Sequence, residues 1–463
     1  MRRLQRLAER TPAGRERYID LLRALAIITV VLGHWAIAVI GHDPAGRPTG
    51  HSALADMPWA YPVTWVVQVI PVFFLVGGFA NAASLTSRLR HGGTVTGWLL
   101  DRSARLVPPT TVLLVVLAGT ALAGRLHGTD PVEIRIVVWF ATIPLWFLGA
   151  YLVVVPLAPA MYALHRRFGL AVAVALVPLV ALGDVARLTG RDILAQGNYV
   201  LGWLAIHQLG FAWYDTRLRP DDAPQRRGLW TRQLPMTRRA ALAFLGGGLA
   251  ALALLTLLGP YPVAMLAVPG ERLNNSSPPT VALLAAATAQ LGLILLLRDQ
   301  AERWLRRRRL WKAVVAVNSV VLTVFLWHLT AAVLLIALLD TLHRLPTPPV
   351  SSLAWFAWRV PWLLMLIVVL TGLVAIFGPV EARSGHRRPR RGGGPPGWGL
   401  ARALPMTFAV TGFGLLVLGV TINARTPESA PEPLGVPVPA LIAYLAGAGT
   451  LRLLRSRSGS RLQ

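Results

Sequence analysis

Three ionisable side chains lie within one long apolar stretch near the start of the chain. Asp20, Arg23 and His34 interrupt a segment of mostly aliphatic residues that is long enough to cross a bilayer. At about 100° per residue, the eleven steps from Arg23 to His34 end within about 20° of three full helical turns. Asp20 is about 40° from the same line. The sequence therefore predicts one helical face that carries all three groups, with Arg23 and His34 about 16 Å apart along the axis. Such a face could hold two parts of one long ligand.

Ionisable groups inside a membrane helix are costly, and by default they indicate a functional site. A simpler interpretation stays open for each residue. Asp20 and Arg23 are three residues apart and could pair only with each other, or Arg23 could reach the headgroups. His34 could be hydrogen-bonded between packed helices. We interpret the three together as a functional set, because the simpler interpretations do not explain their common face.

A second group of basic residues precedes another apolar segment. Arg102 and Arg105 are three residues apart and would share a helical face. Guanidinium groups bind phosphates through paired, charge-assisted hydrogen bonds, so this pair could form an anion site. The alternative is the ordinary excess of basic residues at the cytoplasmic ends of membrane helices.

The composition indicates a polytopic membrane protein. Of the 463 residues, 54% are hydrophobic and only 14% are charged, whereas soluble proteins carry about 25% charged residues. The formal net charge of +26 does not indicate nucleic-acid binding, because the basic residues lie in short clusters between apolar segments. The absence of cysteine excludes disulfides, thiolate nucleophiles and cysteine-ligated metals. The scattered histidines show no spacing that would indicate a metal site.

Apolar segments of about 20 residues predict an all-α protein with twelve membrane spans. The predicted spans are 18–40, 63–85, 105–123, 143–164, 170–188, 199–214, 240–258, 281–297, 314–339, 353–377, 403–422 and 436–451. The sixth is short, and the twelfth is rich in glycine and proline. Basic clusters occur in alternate loops, which predicts that both termini are cytoplasmic.

Composition also divides the chain into segments. We expect a basic cytoplasmic N-terminus at 1–17, a membrane domain of about ten spans at 18–380, and a linker rich in glycine, proline and arginine at 381–402. Additional transmembrane segments at 403–454 and a basic tail at 455–463 complete the predicted organisation.

Several motifs resemble the acyltransferase-3 family of integral-membrane acyltransferases. The pattern Arg-x-x-Asp-x-x-Arg-x(10)-His ends at His34, and Phe-Phe-x-x-x-Gly-Phe occupies 73–79. Arg-x-x-Arg-x-x-Pro begins at Arg102, and Leu-Trp-Phe-Leu and Phe-Leu-Trp-His contain Trp146 and His328. The resemblance covers about residues 15 to 380. Gly77 departs from the family, in which serine often precedes the Gly-Phe pair.

The resemblance implies a ten-helix acyltransferase-like core with about two extra C-terminal helices. It also implies an enzyme that transfers acyl groups other than aminoacyl groups. The donor would be cytoplasmic acyl-CoA, in most cases acetyl-CoA, acting as a co-substrate, with no permanently bound cofactor. The acceptor would be a hydroxyl of a cell-surface glycan, a lipid or a glycosylated metabolite, so O-acetylation in the cell envelope is expected.

The residues fit this implied activity. His34 would be the general base that takes the acceptor's proton, or a transient acyl carrier. Either role needs a neutral imidazole, which apolar surroundings favour. Arg23, oriented by Asp20, would hold the donor, and Arg102 with Arg105 would bind its phosphates. His328 and Trp146 are possible additional participants.

The main alternative is a twelve-span secondary transporter or exporter. Such carriers often contain repeated halves with interrupted helices in corresponding places, and no motif of the first half recurs after the basic stretch at 217–239. The expected partners are acyl-CoA, the acceptor and membrane lipids, without nucleic acid. The expected location is the bacterial cytoplasmic membrane.

Overall fold

The computed structural model describes residues 16–42, 48–218, 228–268, 270–271, 273–384 and 400–460. The described chain is almost entirely helical. Its helices are α1 (Arg17–Ile37), α2 (Val63–Val67), α3 (Ile70–Arg90), α4 (Val95–Leu126), α5 (Pro131–Thr142), α6 (Leu145–Phe168), α7 (Ala171–Leu188), α8 (Asp192–Ala195), α9 (Asn198–Arg217), α10 (Arg238–Leu257), α11 (Val281–Trp304), α12 (Arg308–Asn318), α13 (Val321–Thr341), α14 (Leu353–Ser384), α15 (Leu400–Arg425) and α16 (Val438–Ser460). Strands β1 (Ala38–His42) and β2 (Pro48–Ser52) form an antiparallel hairpin after α1.

Ten helices in the described part of the chain are long and apolar enough to cross a membrane. This confirms the predicted all-α polytopic class. Two further long helices, α9 and α16, correspond to the predicted sixth and twelfth spans but fall below that hydropathy. Most residues of α9 are buried, including His207 and Gln208. A helix surrounded by protein needs less apolar surface than one that faces lipid, which explains the lower hydropathy of α9.

Helix α9 lies against α3 at a very close crossing. A Cβ atom on Gly78 would collide with the backbone of α9 at His207, and one on Gly210 would collide with the backbone of α3 at Leu75. Small residues let membrane helices approach closely where packing, rather than hydrophobicity, drives association. Helices α10 and α11 use Gly248 and Gly292 in the same way.

The first span ends earlier than the sequence predicts. Helix α1 stops at Ile37, and the chain enters the β-hairpin where a polar loop was expected. The carbonyl oxygen of Ala38 accepts a hydrogen bond of 2.7 Å from Arg359 Nη1 on α14. This long-range donor satisfies a carbonyl at the helix end that would otherwise lack a partner.

Other boundaries differ too. The predicted third span begins at 105, but α4 starts ten residues earlier, at Val95, so Arg102 and Arg105 lie inside the helix. The predicted ninth span is divided: α12 ends at Asn318 and α13 begins at Val321. Asn318 Nδ2 donates to the carbonyl of Asp20 at 2.8 Å, which fixes the break against α1. Helix α5 occupies part of the stretch between the third and fourth spans.

The extra C-terminal helices pack on the rest of the bundle. Arg135 on α5 is fully buried and uses all its donors on the end of α15 and the loop between α15 and α16. The acceptors are Asn423 Oδ1, Pro427 O and the carbonyls of Asn423, Thr426 and Gly435. Burial lowers the pKa of Arg135, and the carboxylates of Glu432 and Glu428 oppose that shift.

Helix α14 continues to Ser384, and residues 385–399 of the predicted linker lie outside the described residues.

The helix ends form two faces. On one, called here the basic face, Glu16 at the start of α1 pairs with Arg217 of α9 at 2.5 Å and with Arg298 of α11 at 3.1 Å. On the other, the opposite face, the β-hairpin lies near the start of α14. On this face, Asp184 near the end of α7 accepts a hydrogen bond from Val281 N at the start of α11. It also accepts one from Tyr261 Oη.

Candidate active site

Two histidines from distant parts of the sequence meet inside the bundle. His34 Nδ1 on α1 lies 3.0 Å from His328 Nε2 on α13, and the two rings are stacked with centroids 5.1 Å apart. His328 is fully buried, whereas His34 keeps partial exposure. His34 is therefore the member of the pair that a substrate could reach.

Hydrogen bonding assigns the protons of this pair. His328 Nδ1 lies 2.6 Å from the carbonyl oxygen of Phe325, and a carbonyl can only accept, so His328 Nδ1 carries the hydrogen. In the neutral ring, His328 Nε2 is then an acceptor for His34 Nδ1–H. The unprotonated nitrogen of His34 is Nε2. This is the orientation in which a base is held by a third group, as general-base catalysis requires.

Backbone contacts hold the pair in place. The indole Nε1 of Trp35 donates to the carbonyl of His328 at 2.9 Å, and Trp362 Nε1 on α14 donates to the carbonyl of Trp35 at 3.1 Å. Both indoles are buried. Helices α1, α13 and α14 are thereby joined at the level of the histidines.

The structure also brings Asp20 and Arg23 together. Arg23 Nη1 lies 3.6 Å from Asp20 Oδ1, with Asp20 nearly buried and the Arg23 side chain about one-quarter exposed. The predicted pairing is thus present, and it leaves part of the guanidinium accessible. Both residues lie about three to four turns from His34 on α1, toward the basic face.

Arg102 and Arg105 differ in their surroundings. Arg102 Nη2 donates to the carbonyl of Ala80 at 2.8 Å and to Ser84 Oγ, so part of this side chain joins α4 to α3. Its Nε is buried and has no hydrogen-bond partner among the described residues. Arg105 is exposed. Arg102 lies close enough to Arg105 and Arg23 to interact electrostatically with both. Three guanidinium groups from two helices therefore concentrate positive charge near the basic face.

The last predicted residue, Trp146, lies apart from the histidines. Its ring contacts Phe147 edge-on, with centroids 6.3 Å apart, and Phe147 in turn contacts Phe325, the residue that binds His328 through its carbonyl. This arrangement indicates that Trp146 supports the packing around the site. The described residues contain no group of three side chains suited to hold a metal ion.

Sequence patterns did not indicate Glu381. Its carboxylate accepts from Leu322 N at 3.1 Å and from Thr323 N and Oγ1 at 2.7 Å each. These amides lie in the first turn of α13, where backbone N–H groups have no helical acceptor. Glu381 therefore caps the helix that carries His328. The contact spans about 58 residues, and no local motif encodes such a partner.

The comparisons with known proteins agree with this geometry. A family model described as an acyltransferase domain, acyltransferase-3, matches residues 16–379. No curated protein and no solved structure matches the chain. The matched region contains Asp20, Arg23 and both histidines, and it ends before α15 and α16. The family covers most of the chain, so this protein belongs to the acyltransferase-3 family and is an acyltransferase of the membrane.

Proposed function

We propose that the protein transfers an acyl group, in the first instance acetyl, from coenzyme A to a hydroxyl acceptor, with His34 as the base. The observation that carries the proposal is the hydrogen-bonded series from the Phe325 carbonyl through His328 to His34 Nδ1. This series leaves Nε2 of the accessible His34 ring unprotonated, so it can take a proton from the acceptor. No cofactor is needed besides the acyl-CoA co-substrate.

The proposed reaction begins with removal of the acceptor's hydroxyl proton by His34 Nε2. The hydroxyl oxygen attacks the thioester carbonyl, the C–S bond breaks, and the proton passes from the imidazolium to the coenzyme A sulfur. Positioned proton transfer of this kind contributes about 10²–10⁴ to a rate. In the second route, Nε2 attacks the thioester carbonyl, the C–S bond breaks, and coenzyme A leaves as its thiolate. The acceptor hydroxyl then attacks the acyl-imidazolium, the C–N bond breaks, and the hydroxyl proton passes to the thiolate.

Arginines on the basic face would hold the donor. Coenzyme A is a long anion, and Arg102, Arg105 and Arg23 offer guanidinium groups to its phosphates. The distance of about 16 Å along α1 between Arg23 and His34 fits a ligand whose charged end and thioester lie far apart. Asp20 would orient Arg23 through their ion pair.

This mechanism suggests an orientation in the bacterial cytoplasmic membrane. The donor is made in the cytoplasm, so the basic face and both termini would lie there, in agreement with the excess of arginine at that face. The acceptor would be a glycan, a lipid or a glycosylated metabolite of the cell envelope. The transporter alternative is not favoured, because the family is one of acyltransferases.

Acetyl-CoA binding and hydrolysis test the proposal. The purified protein would be given radiolabelled acetyl-CoA, and wild type would be compared with His34→Ala and Arg23→Ala. We expect saturable binding, weaker binding in Arg23→Ala, and loss of slow hydrolysis in His34→Ala with binding retained. Turnover by folded His34→Ala would remove His34 from the mechanism. Failure of the folded wild type to bind acetyl-CoA or longer acyl-CoAs would overturn the donor assignment.

A further inference from the structure

Helix α12 is short and strongly amphipathic, and it lies between two membrane spans without being one itself. Its eleven residues, Arg308–Asn318, separate α11 from α13, which are both long and apolar enough to cross a membrane. Trp311 and Val314 are buried against the bundle, whereas Leu310 and Ala313 are exposed. A helix with a basic polar side and an exposed apolar side is typical of the membrane interface.

Contacts with α1 indicate how α12 is oriented. The guanidinium carbon of Arg17 lies 5.0 Å from the centre of the Trp311 ring, and Asn318 Nδ2 donates to the carbonyl of Asp20 at 2.8 Å. The two contacts are about 10 Å apart along the axis of α12 but only about 4.5 Å apart along that of α1. Helix α12 therefore crosses α1 obliquely. Because α1 spans the membrane and begins at the basic face, α12 is inclined toward the membrane plane at that face.

The start of α12 and the turn before it carry an uncompensated positive charge. Residues 303–312 contain six cations and no carboxylate: Arg303, Arg306, Arg307, Arg308, Arg309 and Lys312. The five arginines are exposed. No ion pair joins any of the six to a carboxylate of the described residues. The acidic groups nearby have other partners, because Glu16 pairs with Arg217 and Arg298 and Glu302 accepts from Tyr18 N.

Exposed apolar side chains accompany these cations. Trp304 is 53% exposed and Leu310 is 44% exposed. A soluble anion would use only the charge of such a surface, whereas a phospholipid would also cover the indole and the leucine with its acyl chains. Tryptophan is enriched at the level of the headgroups. Four to eight basic residues next to a membrane helix, or on an amphipathic helix, are typical of sites for anionic headgroups.

We propose that residues 303–317 form a binding surface for anionic phospholipids in the leaflet at the basic face. The arginines would pair with the lipid phosphates through charge-assisted hydrogen bonds, and Trp304 with Leu310 would contact the upper part of the acyl chains. The bound lipid would hold α12, and through the contacts of Arg17 and Asn318 it would also hold the start of α1. This inference goes beyond the proposed function and does not depend on acyl transfer.

The first test places a fluorescent label on α12, which is possible because the chain contains no cysteine. Full-length Ala313→Cys would be labelled with bimane and placed in nanodiscs of phosphatidylcholine. Nitroxide-bearing phosphatidylglycerol or nitroxide-bearing phosphatidylcholine would then be added as the quencher. We expect phosphatidylglycerol to quench at a roughly tenfold lower mole fraction. A label on Thr189→Cys, at an exposed site at the end of α7, should be quenched equally by both lipids.

Two variants of the labelled protein test whether the arginines cause this preference. In the first, residues 306–309 are all changed from arginine to glutamine, which should remove the preference. The charge-matched variant changes four exposed arginines near the ends of α3, α6 and α16 to glutamine, and it should keep the preference: Arg90, Arg166, Arg167 and Arg452. Equal quenching by both lipids in the wild type, or equal loss of preference in both variants, would overturn the proposal.

Salt and coenzyme A provide tests that need no variant of the arginines. Rising salt should reduce the preference for phosphatidylglycerol, because the cations are exposed and salt screens them. A preference that does not change between low and high salt would contradict headgroup binding by these arginines. Coenzyme A should not relieve the quenching by phosphatidylglycerol. If it did so at concentrations that saturate donor binding, the surface would belong to the phosphates of the donor and the lipid assignment would be wrong.

Thermal stability supplies an independent measurement. A ligand that binds only the folded protein raises its thermal midpoint. Phosphatidylglycerol added to the detergent-purified protein should therefore raise the midpoint of the wild type and of the charge-matched variant more than phosphatidylcholine does. The variant with glutamine at 306–309 should respond equally to both lipids. A specific rise that persists in this variant would place the lipid site elsewhere on the protein.

Discussion

Through its hydrogen bond to His34 Nδ1, His328 fixes the orientation of the His34 ring and the nitrogen that carries its hydrogen. Replacing His328 by Ala removes the acceptor for His34 Nδ1–H and frees the His34 ring to rotate. We expect kcat to fall roughly 10²-fold, the lower end of what positioned proton transfer contributes. The affinity for acetyl-CoA should not change, because the His328 side chain is fully buried and hydrogen-bonds to His34 and the Phe325 carbonyl.

Two variants distinguish this positioning role from a structural one. His328→Gln keeps an oxygen that can accept from His34, so it should recover part of the lost kcat. His207→Gln changes another fully buried histidine, which bonds to Asn81 instead, and should leave kcat close to wild type. Equal losses in all three variants, with equal losses of thermal stability, would show that His328 acts only through the packing of the bundle.

Arg105 should contribute to donor binding without contributing to the fold. It is exposed, and the described residues give it no hydrogen bond or ion pair, whereas Arg102 also joins α3 to α4. We expect Arg105→Ala to weaken acetyl-CoA binding about tenfold, equal to roughly 1.4 kcal/mol. Rising salt should reduce the difference from wild type.

Equilibrium binding at several salt concentrations measures this effect. Arg125→Ala removes an exposed arginine from the other end of the same helix and should bind donor normally. Arg102→Ala should weaken binding and also lower the thermal midpoint. Equal affinity of Arg105→Ala and wild type at low salt would mean that Arg105 does not bind the donor and belongs only to the excess of basic residues at the cytoplasmic ends of membrane helices.

Part of the site follows from local spacing, and part does not. The pairing of Asp20 with Arg23 was predictable because residues three apart are neighbours on a helix. From the sequence, His328 could be predicted only as a possible additional participant, without its partner. Its contact with His34 spans 294 positions and depends on where α1 and α13 cross, which no local pattern determines. Gly77 has a steric explanation, because a Cβ there would lie 3.2 Å from Tyr151 Cε2.

Helix ends decide where the histidines lie. Glu381 lies in the last turn of α14 and caps α13 from there, and its carboxylate also compensates the positive end of the α13 dipole. Replacing Glu381 by Ala would leave two partly buried amides without their acceptor. We expect a loss on the order of 2 kcal/mol, concentrated in the first turn of α13, together with a fall in kcat.

Hydrogen exchange reports this effect where it occurs. The amides of Leu322 and Thr323 should exchange faster in Glu381→Ala and at an intermediate rate in Glu381→Gln, whose amide oxygen can still accept. Arg383→Ala, a change at an exposed neighbour on the same helix, should leave both amides protected. Unchanged exchange in Glu381→Ala would mean that water replaces the carboxylate at no cost.

Element types were easier to predict than element ends. Hydropathy alone locates the membrane helices, because each must bury its backbone hydrogen bonds internally. It does not locate the break at 319–320, which Asn318 stabilises through the Asp20 carbonyl. Nor does it find the end of α1 at Ile37, since the residues that follow are as apolar as a helix would require. In both cases a contact from another helix decides the boundary.

At the scale of the whole molecule, the pair α15 and α16 lies beyond the family domain, and Arg135 fastens it there. All five N–H donors of its guanidinium are used on carbonyl and amide oxygens at the end of α15 and in the loop that connects it to α16. A lysine in this position has a single ammonium group and no fork. Arg135→Lys would therefore leave several buried carbonyls unsatisfied, at a cost on the order of 3 kcal/mol.

That cost should appear as detachment of the loop and not as unfolding of the bundle. Limited proteolysis should cut the segment 426–437 faster in Arg135→Lys, while the helices of the family domain remain protected. Arg425→Lys changes an exposed arginine at the end of α15 that makes one hydrogen bond, to Gln196 Oε1, and should be cut at the wild-type rate. If both variants resist proteolysis equally, the glycine contacts between the two helices and the packing of Val420 on Gly149 would suffice to hold the pair, and Arg135 would serve only to satisfy the loop carbonyls.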